Sequence, residues 1–188
     1  SLVFKISENY NGYIWDEETR EIFTNKEYKN RRFFEPSNGA PSVVLHTVIH
    51  SYSDGDYVRA ISLGMAKFGL PDIVVSKFSW SDNRRIGNTI IAITQLLAEG
   101  HRLNKKDEFT LDLTQIKQVE YKSKLKNLVL ENATKKEKHK FSIVSPEEGD
   151  PNNLILEPVF DHPDAESKQE KQELFLSALF GSKDEITY

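Results

Sequence analysis

The chain contains no cysteine, only one methionine and two tryptophans, and no apolar run of the roughly 18 residues that a membrane-spanning helix needs. Without cysteine, disulfide bonds, thiolate zinc sites, iron–sulfur clusters and cysteine nucleophiles are all excluded. The opening residues, SLVFKISENY, also lack the basic-then-apolar order of a signal peptide. We therefore expect a cytoplasmic protein without a membrane partner. Because the chain begins with serine, we also expect that an upstream piece has been removed or was never included.

Charge is distributed unevenly along the 188 residues, which by length suit one domain spanning 1–188. Residues 101–140 carry 11 Lys/Arg against 6 Asp/Glu, whereas residues 141–188 carry 3 against 11. These stretches either form ordinary solvated faces, dock on each other, or face separate partners. The overall net charge of −4 argues against nucleic acid as a partner.

Short apolar or alternating runs separated by Gly, Pro and Asp predict a series of strands. The segment NGYIWDEETREIFT predicts a hairpin, and Asp54-Gly55 predicts the turn of a second one. The other predicted strands lie at 42–52, 57–65, 72–78, 108–113, 139–145 and 153–160.

Two helices complete the predicted architecture. Ile86, Ile90, Ile93 and Leu97 recur at helical spacing after a cap at Ser81 or Asp82, which predicts a central apolar helix at about 82–98. A C-terminal helix is predicted at about 164–180. The apolar residues within 115–131 fit the spacing of a helix and also the period of two of a strand, and we favour a helix. Strands at hairpin spacing interleaved with helices indicate an α+β fold with a largely antiparallel sheet.

Details of the C-terminal helix follow from its composition. Asp161 or Asp164 is the expected cap, and Gly181 is the expected stop. Only the second half has an apolar face, so the first half is expected to project into solvent or contact a partner. The residues expected on that face are Leu174, Phe175, Ala178 and Leu179.

The stretch LGMAKFGLPDIVV resembles a glycine-rich phosphate loop only superficially. A dinucleotide fingerprint needs three glycines that open a helix, whereas Gly64 and Gly69 are two, and Pro71 precedes a strand. We therefore interpret the stretch as a bend, with Gly64 at a bulge or close approach and Gly69 in a turn. No cofactor is expected.

His46 and His50 are the first candidate binding residues, because HxxxH places two ligands on one face of a helix. The β-branched neighbours instead favour a strand, in which four residues span about 13 Å and cannot share one ion. We therefore expect no metal site and interpret the histidines as a partly buried pair on one strand face.

Arg84 and Arg85 are the second candidates, because they lie in the first turn of the central helix, where the helix dipole disfavours cations. They are expected either to pair with nearby carboxylates or to bind an anionic partner. The hydrolase motif G-x-S-x-G is absent from the chain, and no third catalytic partner is found, so no catalytic residue is assigned. The oxygen-rich EEGDPNN lacks the spacing of a calcium loop.

Four segments resemble a group of uncharacterised bacterial proteins: IWDEETREIFT, GMAKFGLPDIVV, EEGDPNNLILE and SALFGSKDE. The resemblance spans most of the chain, and it implies that a YegJ-like domain of unknown function follows this region. It brings no substrate and no catalytic residue.

These observations lead to three functional hypotheses. The first is a non-enzymatic module that binds a protein or an adjacent domain. The second is a small-molecule binder or hydrolase-like enzyme with His46, His50, Arg84 and Arg85 around a cleft. The third, nucleic-acid binding through residues 101–140, is the weakest.

Overall fold

The computed structural model describes residues 2–33, 39 and 41–182. The helices within these ranges are α1 Leu2–Tyr10, α2 Asn25–Arg32, α3 Val43–His46, α4 Asn83–Ala98, α5 Val119–Lys126 and α6 Lys168–Phe180. The strands are β1 Ile14–Asp16, β2 Glu21–Phe23, β3 Val48–Asp54, β4 Tyr57–Leu63, β5 Asp72–Phe78, β6 Glu108–Asp112, β7 Lys136–Ile143 and β8 Ile155–Val159.

The main sheet has six strands in the order β3-β4-β5-β8-β7-β6, and β1 and β2 form a separate hairpin. Four of the five strand pairs in the main sheet are antiparallel, and β5 and β8 run parallel. The parallel pair requires a long crossover, which α4, β6 and β7 supply. The fold is thus α+β with a mixed, largely antiparallel sheet, as the sequence predicted.

The central helix α4 packs across this sheet. Its buried isoleucines, Ile86, Ile90 and Ile93, share one core with alternate residues of β4 and β5 such as Val58 and Val75. The intervening residues form a smaller core on the opposite face, because successive strand side chains point to opposite sides. That smaller core consists of Ile61, Leu63, Val74 and Ile155.

The strand predicted at 42–52 is wrong in its first half. Residues 43–46 form the single helical turn α3, and β3 begins only at Val48. The Gln95 side chain accepts a hydrogen bond from the Val43 amide (3.0 Å), and Thr47 donates from its hydroxyl to the Val43 carbonyl (2.9 Å). These bonds outweigh the strand preference of the β-branched residues. His46 and His50 therefore do not share a strand.

The C-terminal helix is confirmed, but its cap and buried face differ from the prediction. Ser167, not Asp161 or Asp164, caps α6, because it forms a reciprocal capping box with Glu170. The first half also packs, since Gln172 is buried and donates to the Ser76 carbonyl (3.2 Å). The buried apolar residues of α6 are Phe175, Leu176, Leu179 and Phe180, whereas Leu174 is exposed.

Residues 115–131, which fitted two periods, contain the helix α5 at Val119–Lys126. The predicted hairpins are also present: β1 pairs with β2, and β3 pairs with β4 from Val48–Leu63 to Asp54–Tyr57. Within the described ranges, no helix combines the length and the apolar character that crossing a bilayer requires.

His139 is a buried polar group inside this fold. In the described structure neither of its ring nitrogens has a hydrogen-bond partner, and its ring stands edge-on to Phe175 with centroids 4.7 Å apart. Burial lowers the pKa of His139 to about 4, although Glu108, Lys138, Lys140 and Asp161 line the adjacent pocket. The imidazole is therefore neutral at pH 7, and its environment is apolar on the side where it packs against Phe175.

This pKa predicts that the protein loses stability in mild acid. In the unfolded chain the His139 imidazole is protonated below about pH 6.5, whereas in the folded protein it is protonated only below about pH 4. The free energy of unfolding therefore falls as the pH is lowered from 6.5 to 4. The loss attributable to His139 is roughly 3 kcal/mol. His139→Phe should flatten the pH dependence, measured by urea unfolding between pH 4 and 7.5. An unchanged slope in this variant would contradict the assignment.

Candidate binding surface

The N-terminal unit, residues 2–33, exposes an apolar strip along α1. Leu2, Ile6 and Tyr10 recur every four residues and are exposed, and Val3 lies beside them. The other side of the helix is covered, because Phe4 packs on Phe33 with ring centroids 5.0 Å apart. A helix that is apolar on two sides is normally enclosed on both. Within the described chain α1 is covered on one side only.

The hairpin β1–β2 exposes a second apolar strip. Trp15 and Ile22 are direct cross-strand partners and are 56% and 66% exposed. The alternate residues Ile14 and Phe23 point inward and are buried. Cross-strand partners have touching side chains, so Trp15 and Ile22 form one patch. Tyr13, also exposed, leads into this patch from the turn that follows α1.

We refer to the two strips jointly as the N-terminal apolar surface, defined as Leu2, Val3, Ile6, Tyr10, Tyr13, Trp15 and Ile22. Of the fifteen large apolar side chains that the described structure exposes, eight lie in residues 2–33. Scattered single exposures are ordinary in soluble proteins, whereas a concentration of this kind marks an interaction site.

Aromatic packing makes the inner side of this unit firm. The rings of Phe4, Phe23, Tyr28 and Phe33 contact one another with centroid separations between 5.0 and 6.4 Å. Ser7 closes the turn between α1 and β1 by donating its hydroxyl proton to the Gly12 carbonyl (2.7 Å). The exposed strips are therefore held in place and are not loose chain ends.

A buried ion network attaches the N-terminal unit to the rest of the fold. Asp16 accepts hydrogen bonds from Arg32 (2.7 Å) and from Lys67 (2.8 Å), which lies in the turn between β4 and β5. The side chains of Asp16 and Arg32 are 10% and 6% exposed. Arg32 also donates to the Leu45 carbonyl in α3. The Asp16 carboxylate thus connects the hairpin to α2 and to the turn, and Arg32 extends the network to α3.

The pKa values of the network follow from this geometry. Burial alone would raise the pKa of Asp16, but hydrogen bonds from Lys67 and Arg32 outweigh it and lower the pKa to about 2. Burial lowers the pKa of Lys67, and the pairing with Asp16 only partly offsets this. Asp16 is therefore ionised at pH 7, and the side chains of Arg32 and Lys67 compensate its charge.

Gly64, directly after β4, is closely approached by the β1–β2 turn and by α3. Its φ is +109°, and a Cβ placed there would lie 2.9 Å from both the His46 carbonyl oxygen and Thr19 Cγ2. The glycine pair of LGMAKFGLPDIVV is thus structural: Gly64 permits close approach and Gly69, at φ +65°, ends the turn over Met65–Phe68. The interpretation of this stretch as a bend is confirmed.

The four candidate binding residues lie in separate environments. His46 lies in α3 near Phe68, and burial, together with the charges of Arg32 and Lys67, lowers its pKa to about 4. His50 is exposed on β3, where its ring contacts Tyr52. Arg84 is exposed at the start of α4, whereas Arg85 is buried.

Arg85 is neutralised within the fold, which answers the question that its position in the first helical turn raised. It donates to Glu173 of α6 (2.9 Å) and to Asp82 (2.5 Å). Burial would lower the pKa of Arg85, but these two carboxylates raise it. The two carboxylates offset the unfavourable helix dipole, and Arg85 connects α4 to α6. This arrangement matches the expected pairing with carboxylates.

Sequence reasoning missed a second buried ion pair. Arg59 of β4 is 2% exposed and donates to both oxygens of Asp150 at 2.8 and 2.7 Å. The oxygen-rich loop EEGDPNN is therefore held to the sheet through Asp150. A positively charged residue in the middle of the apolar strand YVRAISL was the available signal. Among the described residues, no group of three or more His, Asp or Glu side chains is placed to hold a metal ion.

The chain matches no known protein family, no curated protein and no solved structure. The resemblance to uncharacterised bacterial proteins therefore stays a prediction. What the geometry shows is a firmly attached unit with an exposed, uncharged apolar surface.

Gly64 is expected to tolerate alanine much less well than Gly69. At Gly69 a Cβ meets nothing within 4 Å, so Gly69→Ala costs only the left-handed backbone, about 1 kcal/mol. Gly64→Ala adds a clash with fixed backbone and should cost roughly 2 kcal/mol more. Urea unfolding of the two variants measures the difference. Equal losses would show that the close approach at Gly64 relaxes freely.

Asp16→Asn is expected to destabilise the protein by about 2–3 kcal/mol, because it leaves Arg32 and Lys67 without their shared carboxylate. The matched control Glu17→Gln removes an exposed charge from the same turn and should change stability by less than about 0.5 kcal/mol. Urea unfolding at pH 7 measures both. The Asp16 contribution is complete above pH 3.8 and is lost as the pH falls toward 2.

Proposed function

We propose that the protein is a non-enzymatic binding module whose N-terminal apolar surface docks on a folded protein or an adjacent domain. The observation that carries this proposal is the exposed apolar surface on a rigid support. Tryptophan and tyrosine dominate the energetics of protein interfaces, and this surface contains Trp15, Tyr10 and Tyr13.

The charge of the unit favours a protein partner over other classes. Residues 1–33 carry six Lys/Arg and six Asp/Glu, so the unit has no net charge. Helices that lie in a membrane interface carry several Lys and Arg on their polar face. In α1 the single lysine, Lys5, is offset by the negative charge of Glu8. Nucleic acids require excess positive charge. A neutral apolar surface fits an apolar protein face. A cytoplasmic location belongs to the same proposal and rests on the cysteine-free sequence.

The alternative, a small-molecule binder or hydrolase-like enzyme, would require His46, His50, Arg84 and Arg85 to line one cleft. Arg85 is engaged by Glu173 and Asp82, and His46 faces Phe68 and the ion network. No contact among the described residues joins these groups, so the geometry does not favour the enzyme hypothesis.

The test compares two tryptophans of equal exposure. Trp15 and Trp80 are each 56% exposed, but only Trp15 belongs to the N-terminal apolar surface. A partner captured by the unaltered protein is identified, purified and titrated calorimetrically against Trp15→Ala/Ile22→Ala and against Trp80→Ala. The double variant should bind at least about 30-fold more weakly, as expected for a hot spot, whereas Trp80→Ala should bind normally.

Folding is verified by circular dichroism, since all three side chains are more than half exposed and their removal should leave the fold intact. Undiminished affinity of the double variant, or an equal loss in Trp80→Ala, would refute the proposed surface.

A further inference from the structure

The basic segment 101–140 contributes to a pocket that the proposed function does not use. The pocket has a volume of about 260 Å³ and lies between α5 and the chain segments that precede β7. Its lining residues are Leu113, Thr114, Lys122, Leu125, Lys126, Val129, Glu131 and Lys135.

The floor of this pocket is apolar and well supported. Leu113 and Leu125 are buried members of the main core, and Val129 packs against that core. The Asp112 side chain accepts a hydrogen bond from the Thr114 amide (3.0 Å), which holds the turn next to Leu113. A ligand in the pocket would therefore meet a preformed apolar floor.

The rim of the pocket is positively charged. Three lysines, Lys122, Lys126 and Lys135, stand against one acidic residue, Glu131. None of these lysines makes an ion pair with a residue that the structure describes. Two other pockets each carry two lysines and two carboxylates in their linings, and in each of them a lysine is paired: Lys138 with Glu108 (2.7 Å) and Lys168 with Glu157 (3.4 Å). The pocket beside α5 thus differs from these two in having uncompensated positive charge.

Lys135 is held at the rim by its backbone. Its φ is +62°, a left-handed conformation that is uncommon for lysine. The Lys135 carbonyl accepts a hydrogen bond from the Leu113 amide (2.8 Å), and its amide donates to the Ala178 carbonyl (3.2 Å). Strained residues persist where neighbours over-determine them, and such residues cluster at ligand sites.

We propose that this pocket binds a small organic anion, a carboxylate with a short apolar body. The apolar body would contact Leu113, Leu125 and Val129, and the carboxylate would face the three lysines. The volume lies below the roughly 300–1,000 Å³ of pockets for drug-sized ligands, so the ligand is small. The site is separate in position and chemistry from the N-terminal apolar surface, which is uncharged.

The test uses probes of one shape and different charge. Octanoate, octanol, octylammonium and acetate are titrated into ¹⁵N-labelled protein, and the amide shifts of residues 113, 125, 129 and 135 are followed. Octanoate should bind most tightly and should weaken as salt rises, because ions screen the lysines. Acetate should be weaker than octanoate, because each lost methylene costs up to about fourfold in affinity. Octylammonium should not bind.

Matched lysine variants locate the charge effect. Lys122→Gln/Lys126→Gln should weaken octanoate binding about tenfold and leave octanol unchanged. The control Lys105→Gln/Lys124→Gln removes the same charge outside the pocket and should bind octanoate normally. Equal losses in both variants, or equal affinity for octanoate and octylammonium, would overturn the proposal. The Trp15→Ala/Ile22→Ala variant should retain octanoate binding, so failure at one surface is distinguishable from failure at the other.

Discussion

The contact between Asp16 and the two cations Arg32 and Lys67 determines where the N-terminal unit stands. A carboxylate removed from water is stable only when cations and hydrogen-bond donors replace its hydration. Here the replacements come from α2 and from the turn after β4, so the ionised Asp16 side chain is stable in its buried position only while those elements are assembled. The same contacts that stabilise the buried charge of Asp16 therefore also fix the position of the hairpin.

This attachment makes the exposed apolar residues better suited to binding, because it holds them in place. An apolar surface on a mobile segment would lose conformational entropy on binding, and this loss would weaken association. The aromatic cluster of Phe4, Phe23, Tyr28 and Phe33 and the ion network remove that freedom before any partner arrives. Trp15 and Ile22 are consequently presented on a preorganised support, which is the physical basis of the proposed module.

Charge separates the two candidate sites. The N-terminal apolar surface is uncharged overall, whereas the pocket beside α5 combines an apolar floor with three lysines. These differences imply different ligands: an apolar protein face for the first and a small organic anion for the second. The excess of positive charge in residues 101–140 is therefore concentrated in part at one pocket, where three lysines of this segment lie together. Part of the negative charge of residues 141–188 is neutralised within the fold, because Asp150 pairs with Arg59 and Glu173 pairs with Arg85.

Local sequence signals determined much of the fold. The helical spacing of isoleucines predicted α4, Asp54-Gly55 predicted the β3–β4 turn, and two glycines with a proline predicted the bend between β4 and β5. Each of these signals acts within a few residues, so it is visible in one sequence. The cap of α6 was misplaced because several aspartates competed with Ser167, and only the reciprocal bond with Glu170 decides among them.

Tertiary contacts decided the remainder. Residues 43–46 have the composition of a strand, yet they form a helical turn. The side chain of Gln95, 52 positions away, stabilises this turn by accepting a hydrogen bond from the Val43 amide. For Arg85 the sequence left open a carboxylate pair or an anionic partner, and the folded chain supplies Glu173 of α6 and Asp82. The same helical turn at 43–46 places His46 outside the strand that contains His50. By itself the sequence determined the fold class, the strands, the helices α4, α5 and α6, and the absence of cysteine chemistry. Only the folded chain decided which charges compensate one another and which apolar residues stay exposed, because both depend on neighbours distant in sequence.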